Sequence, residues 1–165
     1  MASTYEPIAT STVAVAAASI TFSSIPATYT DLRIVLTPTV STSTAARIRF
    51  NGDTASNYSS TFLYGDGTSA ASSISSGAAF INASFGVGLS TTVPSLVTAD
   101  VFSYAGSTFK TALTTASSDY NGSGAVTRAV SLWRSTSAIT AVELYVSTGT
   151  FSIGTTATLY GIKNA

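Results

Sequence analysis

A chain of 165 residues with 45% hydrophobic side chains is long enough to bury one sizeable core, and no linker divides it into two. Only 8% of the residues are charged, seven basic against seven acidic and all scattered, so there is no polybasic footprint for nucleic acid or an anionic membrane. The absence of histidine and cysteine removes Ser-His-Asp and Cys-His catalysis, disulfides and thiolate metal sites. Polarity comes instead from hydroxyls, with 28 Ser and 28 Thr beside 25 Ala. A weakly charged surface at zero net charge favours association, so a subunit of an assembly is expected.

The chain opens on MASTYEPIATSTVAVAAASI, whose apolar stretch Val13 to Ala18 follows Glu6 and Pro7 rather than a basic segment. It does not read as a signal peptide, and no run approaches the ~20 apolar residues of a transmembrane helix. Residues 1–10 are expected to form an extended arm and residues 11–165 a single β-sandwich domain. Helical periodicity is absent, whereas period-two alternation recurs. It predicts strands near 11–22, 31–40, 45–51, 58–64, 78–88, 93–104, 108–117, 125–134, 139–147 and 151–162, bounded by Gly, Asn, Asp, Ser and Pro. The Ser- and Gly-rich segment from Asp66 to Gly77 is expected to be an exposed loop.

In the third of these strands Ala46, Ile48 and Phe50 face one way and Arg47 and Arg49 the other. Near 125–134 the alternation separates Val126, Arg128, Val130, Leu132 and Arg134 from Thr127, Ala129, Ser131 and Trp133, and both rows have apolar members. Composition leaves open which row is buried. Eight or more strands without helices predict an all-β antiparallel β-sandwich of jelly-roll type, two four-stranded sheets joined by long crossings, with an immunoglobulin-like sandwich as the alternative.

Between the third and fourth predicted strands lies the polar insert Asn51-Gly52-Asp53-Thr54-Ala55-Ser56-Asn57. A calcium ion takes six to eight oxygens, but the insert supplies one carboxylate and lacks the D-x-[DN]-x-[DN]-G pattern. Asn-Gly is a favoured type I′ turn pair, so Asp53 is expected to shape a bend first. Asp66 and Asp119 likewise read as turn formers. A Ser–Lys nucleophile would need Lys110 or Lys163, and neither sits in a motif. No catalytic residue, metal or cofactor is assigned.

The segments RFNGDTASNYSSTFLYGDG, AVSLWRSTSAITAVELY and TLYGIKNA, with the start ASTYEPIATSTV and SITFSSIPATYTDLRIVL, resemble a group of phage and prophage virion structural proteins. That group has the order RFNGD…NY, LWRS and LYGIK, and the resemblance covers nearly the whole chain. It implies a β-sandwich subunit, commonly trimeric, on the outside of a head or at a tail fibre or tip, and no catalytic residues to transfer. The chain is thus expected to be a non-enzymatic homo-oligomer, made in the host cytoplasm and located on the virion. As a capsid decoration or cement protein it would contact the major capsid protein or another virion protein. The alternative is a tail-fibre or receptor-binding domain that recognises a host glycan, and a glycan-cleaving enzyme ranks last. Residues expected at an interface or on a glycan are Arg47, Arg49, Asp53, Asn57, Tyr58, Tyr120, Arg128, Trp133 and Arg134.

Overall fold

The computed structural model describes residues 4–163, and these form two antiparallel sheets packed as a β-sandwich. Twelve strands run in chain order: β1 Tyr5–Thr12, β2 Ser19–Phe22, β3 Asp31–Thr37, β4 Ala46–Phe50, β5 Tyr58–Gly65, β6 Ala70–Ala78, β7 Ile81–Asn82, β8 Leu96–Phe102, β9 Lys110–Asp119, β10 Gly124–Trp133, β11 Val142–Val146 and β12 Thr156–Ile162. One sheet has eight strands in the order β1-β12-β3-β8-β9-β10-β5-β6, and the other has four in the order β2-β11-β4-β7.

Setting aside the hairpins β5–β6 and β9–β10 leaves β1-β12-β3-β8 facing β2-β11-β4-β7. That order is the double Greek key of a jelly roll. The two sheets are unequal because both hairpins add to the same side of one sheet. This departs from the two four-stranded sheets expected.

Alternation drives the burial. Leu32, Ile34 and Leu36 of β3, Ile48 and Phe50 of β4, and Val142 and Leu144 of β11 point between the sheets and are at most 2% exposed. In β10 the row Thr127, Ala129, Ser131 and Trp133 is the buried one, while Val126, Arg128 and Val130 are exposed. The four-stranded sheet does not reach across the β5–β10 extension, so the segment after β7 covers its inner face. Phe85 stacks on Phe62 with centroids 4.3 Å apart and meets Tyr64 edge-on at 5.5 Å. Small inner residues admit this cover, as where the Ser60 and Ser131 hydroxyls bond at 2.7 Å.

Four elements differ from the sequence-based expectation. Tyr5 to Thr10, expected in the arm, belong to β1, which pairs with β12; residues 1–3 lie outside the described residues. The single strand expected over 11–22 is the end of β1 and the whole of β2, because the chain changes sheets between them. The expected Asp66–Gly77 loop is mostly β6, held by backbone pairing to β5 that needs no apolar alternation. Of residues 78–88 only Ala78, the end of β6, and Ile81–Asn82 are strand, and the remainder folds into the cover carrying Phe85.

Candidate functional site

The polar insert is a turn with a long-range fastening. Asn51 and Gly52 both have positive φ, 52° and 66°, and Asp53 N donates to Phe50 O at 2.9 Å, as in a type I′ turn. The Asn51 side chain pins the neighbouring 138–141 segment: Oδ1 accepts from Thr140 N (2.9 Å) and Ala141 N (3.0 Å), and Nδ2 donates to Ala138 O (2.8 Å). Asp53 Oδ1 accepts from Ala55 N at 2.9 Å. Its Oδ2 accepts from Asn57 Nδ2 at 2.9 Å and from Trp133 Nε1 at 2.7 Å.

Both Asp53 oxygens are therefore engaged by protein donors. Burial pushes the carboxyl up, but the bonds from Asn57, Trp133 and Ala55 outweigh it and hold Asp53 below the ordinary carboxylate value. Among the described residues no three Asp, Glu, His or Cys side chains gather as metal ligands. Under this turn lies an aromatic knot. Trp133 stacks with Tyr58 at 6.3 Å and tilts against Phe50 at 5.6 Å. Tyr58 is fully buried; its hydroxyl accepts from Phe50 N (3.0 Å) and donates to Phe50 O (3.3 Å). Burial pushes the Tyr58 phenol up to about 12.

Tyr58 and Trp133, expected as surface contacts, are thus corrected to core residues. Aromatic rings with one polar tip serve a wet interface and a core with one hydrogen-bond partner equally well, and here the partners are internal.

The β4 arginines lie on the outward side of the four-stranded sheet. Arg49 Nη1 bonds Glu143 Oε2 at 2.8 Å and Nη2 donates to the Tyr145 hydroxyl at 3.0 Å. The Arg47 guanidinium sits 4.0 Å from the Phe80 ring centroid. Arg134 Nη2 donates to Ser56 O (2.6 Å) and Ser76 O (3.3 Å), and the Tyr120 hydroxyl donates to Gly88 O. Seven of the nine nominated residues therefore act inside the fold through side-chain hydrogen bonds or ion pairs around Asp53, Glu143, Phe50 or the Ser56, Ser76 and Gly88 carbonyls. Lys163 pairs with Glu6 at 3.0 Å. Lys110 is buried with its ammonium on Thr108 O, and burial lowers its pKa.

Arg128 is different, being exposed and without a hydrogen bond or ion pair among the described residues. It stands in the outward face of β9, β10, β5 and β6. Around it, Leu63 is 63% exposed, Ile74 74%, Val126 52% and Val130 49%. Register places Val130 between Leu113 and Thr61, with Ile74 beyond Thr61, and Arg128 between Thr115 and Leu63. Leu96 and Phe102 of β8, each 44% exposed, continue the face. Between Asp119 and Arg134 at its ends, Arg128 is the one charged side chain on the outward side of these four strands.

Shallow grooves of ≈ 390, 340 and 270 Å³ run between these side chains. An exposed apolar face of this kind is a candidate interaction surface. It can bury aliphatic area and accept an acidic group at Arg128. Leu63, Ile74, Leu113 and Val130 were not nominated from sequence, although the β10 row containing Val130 carried the signal. Comparison of the chain with protein-family models, with curated proteins and with solved structures found no match.

Proposed function

We propose that the chain is a non-enzymatic structural subunit of a phage particle, a decoration or cement protein on the outer surface of the head. The single observation that carries the docking role is the outward face of β9, β10, β5 and β6, where Leu63, Ile74, Val126 and Val130 surround Arg128. The virion assignment draws on the resemblance of the RFNGD…NY, LWRS and LYGIK segments. On this reading the face covers the major capsid protein, and an acidic side chain there meets Arg128. Stable interfaces deplete charge at their centre and bury about 800 Å² per partner.

The glycan-binding tail-fibre alternative loses two of its expected contact residues, because Tyr58 and Trp133 are buried. The test adds purified protein to particles lacking it and follows co-sedimentation and cryo-EM density. Head-lattice density is expected, with at least tenfold weaker binding for the double variant Leu63→Asp, Val130→Asp. Both positions are exposed, so the fold survives. Density confined to the tail, or unchanged binding by that variant, overturns the proposal.

A further inference from the structure

The two edges of the eight-stranded sheet differ. β1 carries Glu6, Pro7 and a bulge between Pro7 and Ala9, which are devices that blunt an edge against pairing. β6, at the other edge, runs nine residues as AASSISSGA with no charge and no proline, and its own register shift against β5 falls between Ser75 and Ala78, beyond Ile74. Such an edge is a template for another strand.

The hydrogen-bond alternation shows what that edge offers. At the β5–β6 turn Asp66 N donates to Ser69 O at 3.2 Å, so Ala71, Ser73 and Ser75 bond β5. The same phase holds one strand further in, where Arg134 N donates to Asn57 O at 2.9 Å. Ser72 and Ile74 therefore turn their N–H and C=O groups away from the sheet.

The sequence of the edge is self-complementary about Ile74. Reading outward, Ser73 matches Ser75, Ser72 matches Ser76, Ala71 faces Gly77 and Ala70 matches Ala78. We propose that β6 is a homodimerisation strand, pairing antiparallel with β6 of a second copy across a two-fold axis at Ile74. In that register the outward backbone groups of Ile74 bond those of its mate, and Ser72 faces Ser76 of the second copy. Ser76 lies in the register shift and its O already accepts from Arg134 at 3.3 Å, so the Ile74 groups carry the ladder.

The 74%-exposed Ile74 side chain meets its own copy, and no like charges oppose. A two-fold axis makes the contact isologous and closed, which selects a dimer rather than the trimer that the resemblance implies. The pairing goes beyond the virion reading and does not depend on it.

Sedimentation of the purified full chain at rising concentration should give twice the 16.7 kDa chain mass. Ile74→Lys sets two ammonium groups against each other, and Ile74→Pro removes the outward N–H that bonds the mate's Ile74 without breaking a bond to β5. Each should weaken dimerisation at least tenfold with an unchanged circular dichroism spectrum. The chain has no cysteine, so Ile74→Cys gives a clean readout. A hydrogen-bonded antiparallel pair holds its Cα atoms about 5.5 Å apart, within disulfide range. Ile74→Cys should therefore oxidise to a covalent dimer while Leu96→Cys, on the same face but remote from the axis, should not. A monomer at all concentrations, a trimer, a dimer that survives both substitutions, or no cross-link at position 74 overturns the proposal. None of these outcomes bears on particle binding, which tests the virion reading separately.

Discussion

Replacing Asp53 by Ala tests whether the polar insert is a fastening. The substitution removes acceptors for Ala55 N, Asn57 Nδ2 and Trp133 Nε1. A hydrogen bond to a charged group contributes about 1.5–3 kcal/mol when shielded, and a buried donor left unpaired costs about 1–3 kcal/mol. Asp53 is partly exposed, so water replaces some of its role toward Ala55 and Asn57. Trp133 is only 2% exposed, and water does not readily reach its indole N–H. The loss works out at about 3 kcal/mol for Asp53→Ala and about 1 kcal/mol for Asp53→Asn, which keeps one acceptor oxygen.

Trp133 is the only tryptophan, so urea unfolding followed by its fluorescence reads this site directly. Because the folded Asp53 carboxyl lies below its ordinary value, its contribution is fully present above pH about 4 and is lost as pH falls through the folded pKa. Wild type and Asp53→Asn should therefore converge in acid. A cost below about 0.5 kcal/mol at neutral pH for Asp53→Ala, within the scatter of ordinary surface substitutions, would refute the fastening.

Two further substitutions probe the core. Tyr58→Phe removes the hydroxyl that bridges Phe50 N and O, and should cost about 1–2 kcal/mol in chemical unfolding while leaving particle binding unchanged. Gly161→Ala puts a Cβ inside the Tyr29 ring, which must swing away from Gly161 and release its hydroxyl from Glu6. A destabilisation of about 1–3 kcal/mol is expected in thermal melts, and a neutral result would mean that Tyr29 does not pack there.

Strand content was legible where large side chains alternate, as in Ile48 and Phe50 against Arg47 and Arg49. It was not legible in β6, whose Ser and Ala residues give no contrast between faces and whose strand state comes from pairing with β5. The β10 rows could not be ordered because the buried one contains Thr127 and Ser131, small polar residues accommodated by the covering segment, while aliphatic Val126 and Val130 face outward. Local turn chemistry identified the Asn51-Gly52 bend correctly. The bond from Asp53 to Trp133 spans 80 residues, and nothing in the insert itself announces it.

The β1–β12 pairing also governs how this molecule can be tethered. Lys163 N donates to Thr4 O at 3.1 Å, so the two ends of the described chain lie side by side. They sit at the sheet edge opposite β6, seven strand spacings or about 34 Å away. A fluorescent protein or affinity handle joined at either point would hang clear of both the apolar face and the β6 edge. Cargo carried there would be displayed rather than buried, whether the subunit attaches by the apolar face or by the β6 edge.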